Sequence, residues 1–248
     1  MSSIWLNGEF LPADKPALLA SDRGLTLGDG LFETIAVKAG APLRLEAHFQ
    51  RLRSGADFLG LSVPLADNVL ADAVAGIAGA NGLPDAAVRL TLTAGPAPRG
   101  LPRSATLAPT LLLTVGPLPG DLPPARLIIA TRTCRNEHSP LSRLKTLNYL
   151  DSIVARNEAQ ARGADDAILL NSRGQVAEAS AANLFVRLDG HWLTPPVTDG
   201  ALPGTMRAAL LKAWGAGERS LLPVDLDRAE EMVLTTALGI RPVSAVSG

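Results

Sequence analysis

The sequence predicts an α+β protein of two domains, on three observations. Apolar periodicities of strand and helix follow one another without the regular βαβ alternation or internal repeat of a doubly wound sheet. At 248 residues the chain is long for one small domain and has ample apolar material for real cores. Residues 116–124 read Gly-Pro-Leu-Pro-Gly-Asp-Leu-Pro-Pro, with four prolines and two glycines, a composition that suits a stiff surface connection. The predicted division is therefore a smaller N-terminal domain over 1–116, a linker over 117–124 and a larger C-terminal domain over 125–248.

The elements follow in order. Residues 4–11 carry Asn7-Gly8 between short apolar runs, the strongest two-residue hairpin signal. Residues 31–37 alternate as a strand, with Phe32, Thr34 and Ala36 on one face and Leu31, Glu33, Ile35 and Val37 on the other. Leu45, Phe49, Leu52, Ala56 and Leu59 recur at helical spacing and end at Gly60; alanine-rich 65–80 predicts a second helix. Strands over 88–93 and 110–115 flank a Pro- and Gly-rich loop at 94–100. In the second half a strand over 126–131 precedes a helix from about residue 147 to 162, closed by Gly163. Strands are expected at 167–170, 175–178 and 184–187, with turns at Ser172-Arg173-Gly174 and Asp189-Gly190. Pro203-Gly204 leads into a helix reaching Trp214, and 233–236 is the last predicted strand.

Composition narrows the function. The chain is 47% hydrophobic and 19% charged, which excludes a disordered chain, and its net charge of −1 gives no electrostatic footprint for nucleic acid. The single cysteine, Cys134, excludes a disulfide framework. His48, His138 and His191 are scattered without a His-x-x-x-His pair, so no metal site is expected. The N-terminus lacks the features of a signal peptide, and no stretch approaches the roughly 18–20 apolar residues of a membrane span. A cytoplasmic protein acting on a small molecule is the expectation.

Only four of the 23 basic residues are lysines, so a lysine among apolar neighbours invites explanation. Lys145 stands in Leu144-Lys145-Thr146-Leu147 at a predicted loop-to-helix junction, where partial desolvation would lower its pKa and make it a nucleophile or base toward a carbonyl. On this feature alone, a snorkelling lysine with a wet head group is the commoner outcome. Glu178 sits in the small, apolar run Val176-Ala177-Glu178-Ala179-Ser180 and, if buried, needs a cationic partner, either a protonated ring nitrogen or an arginine. Gly204 and Thr205 offer backbone amides at a helix start, Thr235 and Thr236 two hydroxyls, and Arg51 a bidentate guanidinium. Gly28-Asp29-Gly30 lacks the third glycine and following helix of a dinucleotide loop. Each signal is modest, but together they supply a carbonyl-reactive lysine, a carboxylate for a pyridinium and ligands for a phosphate. Pyridoxal 5'-phosphate has those three handles.

Six motifs in order carry a family resemblance: Asp22-Arg23-Gly24 with Gly28-Asp29-Gly30-Leu31-Phe32-Glu33-Thr34; His48-Phe49-Gln50-Arg51-Leu52; Leu144-Lys145-Thr146-Leu147-Asn148; Glu178 through Phe185; Pro203-Gly204-Thr205-Met206-Arg207; and Thr235-Thr236-Ala237-Leu238. With them the chain resembles the class IV aminotransferases, the fold-type IV group of pyridoxal-phosphate enzymes. The resemblance implies a two-domain α+β fold like that of D-amino-acid aminotransferases, a cofactor-binding C-terminal domain and a homodimer. It implies that Lys145 bonds the cofactor and moves the proton, and that Glu178 pairs with the pyridine nitrogen. Arg51, Gly204, Thr205 and Thr236 would hold the phosphate, with Asn183 and Thr235 also in the cofactor site.

The group includes branched-chain and D-amino-acid aminotransferases, (R)-amine transaminases and 4-amino-4-deoxychorismate lyase. Phe32 stands where D-amino-acid aminotransferases use a tyrosine, and no histidine follows Arg99 in Pro98-Arg99-Gly100-Leu101. Branched-chain enzymes are longer and usually read Phe-Glu-Gly where this chain has Phe32-Glu33-Thr34. Short length, Gly-Leu-Phe-Glu-Thr and Lys-x-Leu-Asn-x-Leu-Asp resemble the lyase best, although its Gly-Gly-Arg-Gly-Tyr loop is replaced. The lyase releases 4-aminobenzoate and pyruvate. Phe32, Thr34 and Arg99 are the candidates for contacting an amine or amino-acid substrate. A pyridoxal-phosphate-binding protein without turnover is the remote alternative.

Overall fold

The computed structural model describes residues 2–15, 18–103, 106 and 108–247. The chain divides into two compact units, Met1–Pro119 with Lys145–Asn148, and Gly120–Leu144 with Tyr149–Gly248. A short piece carrying Lys145 thus packs with the N-terminal unit, although in sequence it lies beyond the linker.

The first unit opens with β1 (Ser3–Leu6) and β2 (Glu9–Pro12), an antiparallel hairpin. Its turn residues Asn7 and Gly8 have φ of 49° and 110°, the two positive values a tight hairpin turn needs. Helix α1 (Arg23–Leu27) is short and unmarked by periodicity; Asp22 caps it by accepting from the Gly24 amide at 2.7 Å. The other Asp22 oxygen accepts from the hydroxyls of Thr93 (3.0 Å) and Thr110 (2.9 Å), so this buried carboxylate is fully used. Then come β3 (Gly30–Lys38), β4 (Ala41–Pro42), α2 (Leu45–Leu59), α3 (Asp67–Ala80), β5 (Ala86–Thr93) and β6 (Thr110–Pro117). The sheet runs β2-β1-β6-β5-β3-β4 with every pairing antiparallel.

Helix α2 lies against β3, and α3 against β1, β5 and β6. The buried stripe of α2 is His48, Phe49, Leu52, Gly55 and Ala56; that of α3 is Leu70, Ala73, Val74, Ile77 and Ala78. The strand residues of this core recur every second position: Val88, Leu90 and Leu92, then Leu111 and Leu113.

Residues 147 and 148 depart from the expected helix. Helix α4 (Leu150–Ala161) begins later than the periodicity predicts, because the preceding residues run beside β3. The Phe32 amide donates to the Lys145 carbonyl (2.9 Å), the Leu147 amide donates to the Gly30 carbonyl (3.0 Å), and Leu31 and Thr146 form an antiparallel bridge. Strand pairing has overridden local helical preference. Gly30 makes this approach possible: a Cβ there would run into the Leu92 carbonyl oxygen and the Leu147 side chain.

The second unit holds β7 (Ala125–Ile129), α4, β8 (Asp166–Leu170), β9 (Val176–Ala179), β10 (Asn183–Leu188) and β11 (His191–Thr194). It continues with α5 (Thr205–Trp214), β12 (Gly217–Glu218), α6 (Pro223–Asp227), β13 (Glu231–Thr236) and β14 (Gly239–Ser247). The eight-stranded sheet runs β12-β11-β10-β13-β14-β7-β8-β9, with parallel pairs at β11–β12, β14–β7 and β7–β8. Neighbouring residues of its strands alternate between two cores. Leu127 and Ile168 join Val176, Leu184, Val186 and Leu234, whereas Ile128 and Leu169 pack with Ala155 and Ala159 of α4. Strand β14 follows the last predicted strand and is unannounced, because Pro242 and alternating exposed residues mask it. Among the described residues no helix is long and apolar enough to cross a membrane.

Gly30→Ala should destabilise the protein by about 2 kcal/mol or more, because backbone on β5 leaves no room for a methyl group. Urea unfolding followed by circular dichroism measures this; a loss within error of zero would show that β3 and β5 can move apart at no cost.

Candidate active site

In the first unit the candidate residues sort onto the two faces of β3. Facing α2 is Glu33, 1% exposed, with His48, 0% exposed, and Arg51. Three residues apart on α2, His48 and Arg51 point the same way. Arg51 donates from Nε to Glu33 Oε1 (2.7 Å) and from Nη2 to Oε2 (2.5 Å), and His48 Nδ1 donates to Oε2 (2.7 Å). Burial pushes the Glu33 carboxyl up, but the hydrogen bonds from Arg51 and His48 outweigh it and hold the group below its ordinary value. The family resemblance implies a phosphate role for Arg51; the structure shows its guanidinium in a forked pair with Glu33.

The other face of β3 carries Phe32 and Thr34. The Lys145 ammonium lies 4.3 Å from the centroid of the Phe32 ring, and the Arg89 guanidinium carbon lies 3.6 Å from it. Two cations thus meet the electron-rich ring of one buried phenylalanine. Arg89 is opposite Thr34 in the β3–β5 ladder, so their side chains share this face. Arg99 is exposed, on a loop tied down at its neighbours: Arg23 donates to the carbonyls of Gly100 (2.8 Å) and Leu101 (2.9 Å). Arg23 also pairs with Asp29 (2.7 Å), whose carboxyl is held below its ordinary value by Arg103 first, against burial, and by Arg23.

In the second unit Glu178 lies on β9, whose four residues are all buried. Its Oε1 is 3.1 Å from Arg135 Nη2, and its Oε2 accepts from Asn183 Nδ2 (3.1 Å) and the Leu202 amide (3.0 Å). Arg135 in turn donates to the carbonyls of Gly200 (3.1 Å) and Ser142 (2.8 Å). Arg135 is thus one cationic partner of this buried carboxylate. Asn183 also donates to the Leu202 carbonyl (2.9 Å), and its Oδ1 sits where a Cβ on Gly204 would be. Gly204 caps α5, which starts at buried Thr205 with no side-chain cap and no acidic residue in its first turn. Thr235 is opposite Asn183 in the β10–β13 ladder, and its hydroxyl is buried with no hydrogen-bond partner among the described residues. Thr236 accepts from the Leu238 amide (3.1 Å).

Glu178, Asn183 and Gly204 are therefore contiguous, and so are Phe32 and Lys145. Four further polar residues have no role in the sequence reading: Glu33 and His48, which lie within the motifs, and Arg89 and Arg135, which lie outside them. A carboxylate in the apolar strand 31–37, and a histidine one helical turn before Arg51, were the available signals for the first two. Arg89 needed the strand register, and Arg135 the fold. Among the described residues no group of three or more His, Cys, Asp or Glu could hold a metal ion.

The family model "Amino-transferase class IV" matches residues 30–246. The chain belongs to the class IV aminotransferase family. A Methanocaldococcus jannaschii protein provisionally assigned as a branched-chain-amino-acid aminotransferase is 34% identical, over 99% of this chain and 88% of its own length. The Escherichia coli branched-chain amino acid aminotransferase structure superposes with a TM-score of 0.91 at 26% identity, covering 99% of this chain and 86% of that one. The Pseudomonas aeruginosa 4-amino-4-deoxychorismate lyase structure gives 0.82 at 33% identity, covering 98% and 91%. This class IV aminotransferase is accordingly a pyridoxal-phosphate-dependent enzyme of the aminotransferase or lyase type, with the two-sheet α+β fold of its group.

Because the Glu33 carboxyl is held low in the fold, its contribution to stability is full above its ordinary value near 4.5 and is lost as pH falls through the folded value. The stability advantage of the wild type over Glu33→Gln should therefore shrink on acidification from roughly pH 5 to pH 3. Urea midpoints of both proteins across that range would show it. An advantage that grows toward acid would mean the carboxyl is not held low.

Proposed function

We propose that this enzyme is a 4-amino-4-deoxychorismate lyase, releasing 4-aminobenzoate and pyruvate. The observation that carries the reading is the Lys145 ammonium beside the Phe32 ring, on a strand face that also bears Thr34 and Arg89. An apolar aromatic platform suits a flat cyclic substrate better than the α-carboxylate of a free amino acid, for which Phe32 has no donor. Arg89 offers a cation to a substrate carboxylate, and the lyase substrate is an anion. The 33% identity to the Pseudomonas lyase supports the same choice.

Pyridoxal phosphate, when bound, supplies an electron sink for the carbon that loses its proton. The chain's residues fit such a group. The Thr235 hydroxyl, buried without a hydrogen-bond partner among the described residues, the start of α5 without a side-chain cap and the lack of room for a side chain at Gly204 suit a phosphate. We assign Arg51, Gly204, Thr205 and Thr236 to the phosphate, and Thr235 and Asn183 to the cofactor. Glu178, which meets Arg135 on one oxygen and the Leu202 amide on the other, is assigned to the ring nitrogen. Lys145 would hold the cofactor and, as a free amine, would take the proton from the substrate ring; the enolpyruvyl group would then leave with its ether oxygen, as pyruvate, and the ring would become aromatic. Thr34 and Arg99 are the further substrate contacts. By the family resemblance the working unit would be a homodimer, and we place the enzyme in the cytoplasm.

Branched-chain transamination is the second reading, favoured by the 34% identity to the Methanocaldococcus protein over 99% of this chain. Purified holoenzyme given 4-amino-4-deoxychorismate should release 4-aminobenzoate and pyruvate in equal amounts. If neither forms, and a branched-chain L-amino acid instead yields its keto acid with 2-oxoglutarate, the lyase reading fails and transamination replaces it. Lys145→Ala should abolish turnover together with the visible absorbance of bound cofactor. Full activity in that variant would remove Lys145 from the mechanism.

A further inference from the structure

We propose that Glu33 is a positioning residue that sets Arg51 for phosphate binding. The inference rests on the assignment of Arg51 as a phosphate ligand made above. Arginine is a long, freely rotating side chain, and a guanidinium free to turn must be ordered whenever it grips an anion. Here that ordering is done in advance. Glu33 takes Nε and Nη2 of Arg51 on its two oxygens, a fork that fixes both the direction and the plane of the guanidinium.

The carboxylate cannot turn away, because His48 Nδ1 holds Oε2 from the same helix and both groups are sealed in the core. A purely structural pair at this helix–strand seam would be an expensive choice, since apolar side chains of similar volume fill such a place at least as well. A role in holding Arg51 explains a buried carboxylate and histidine that the proposed chemistry does not otherwise use.

The test separates phosphate recognition from general support of the fold. Apo-protein is titrated with pyridoxal 5'-phosphate and, separately, with pyridoxal, which lacks the phosphate. Wild type, Glu33→Gln, Glu33→Asp, Arg51→Gln and the double variant Glu33→Gln/Arg51→Gln are compared by cofactor absorbance, with thermal melting of each apo-protein alongside. Glu33→Gln should weaken pyridoxal 5'-phosphate by about tenfold to a hundredfold, while pyridoxal binding changes little. In the Arg51→Gln background the same substitution should add nothing, because the two residues act as one unit.

Equal weakening of both ligands, or additive effects in the double variant, would make Glu33 a structural residue and overturn the inference. If Arg51→Gln leaves the preference for the phosphorylated ligand intact, the phosphate assignment of Arg51 itself fails and the inference falls with it. Should Glu33→Gln not fold, Glu33→Asp carries the same comparison, since it keeps the charge but withdraws the fork by one methylene. An unchanged preference in that variant would overturn the inference too.

Discussion

The pairing of residues 145–148 with the start of β3 is the constraint on which the first unit's candidate chemistry depends. Two backbone hydrogen bonds and one bridge hold a segment distant in sequence against Gly30, Leu31 and Phe32. Closing so long a loop costs little more entropy than closing a shorter one, since the cost grows only with the logarithm of length. The absence of a side chain at Gly30 lets the segment come close, and this approach puts the Lys145 ammonium at the Phe32 ring.

Strand β3 shows what burial on both faces demands of polar residues. Toward α2, Glu33 is sealed from water and is tolerable only because Arg51 and His48 meet it with good geometry. On its other face Phe32 is an apolar surface for two cations, which keep part of their hydration and gain the ring's quadrupole. The second unit answers the same problem separately. Glu178 on the fully buried β9 has Arg135 on one oxygen, and Asn183 with the Leu202 amide on the other. In both units an arginine compensates a buried carboxylate, and other donors fix which way that carboxylate faces.

Much of this was legible in the chain. The Asn7-Gly8 hairpin, α2 ending at Gly60, the strands around the 94–100 loop and the α5 start after Pro203-Gly204 follow from turn chemistry and periodicity, which act over a few residues. The short α1, the late start of α4 and the strand β14 were not legible, for separate reasons. A five-residue helix has too few residues to show a period. Leu147, expected to open α4, instead pairs with Gly30 of β3. Pro242 disguises β14, which nonetheless joins β13 to β7 across the second sheet.

The sequence by itself determined the α+β class, the family and the residue types a pyridoxal-phosphate enzyme needs, because these are written in local patterns and in six ordered motifs. Only the tertiary structure decided the partners of those residues. That Arg51 is forked onto Glu33, that Arg89 lies over Phe32 and that Arg135 answers Glu178 depend on strand register and helix packing. The physical reason is that a charge chooses its partner through space: burial makes an unpaired charge intolerable, but residue spacing along the chain does not reveal which opposite charge the fold will bring to it.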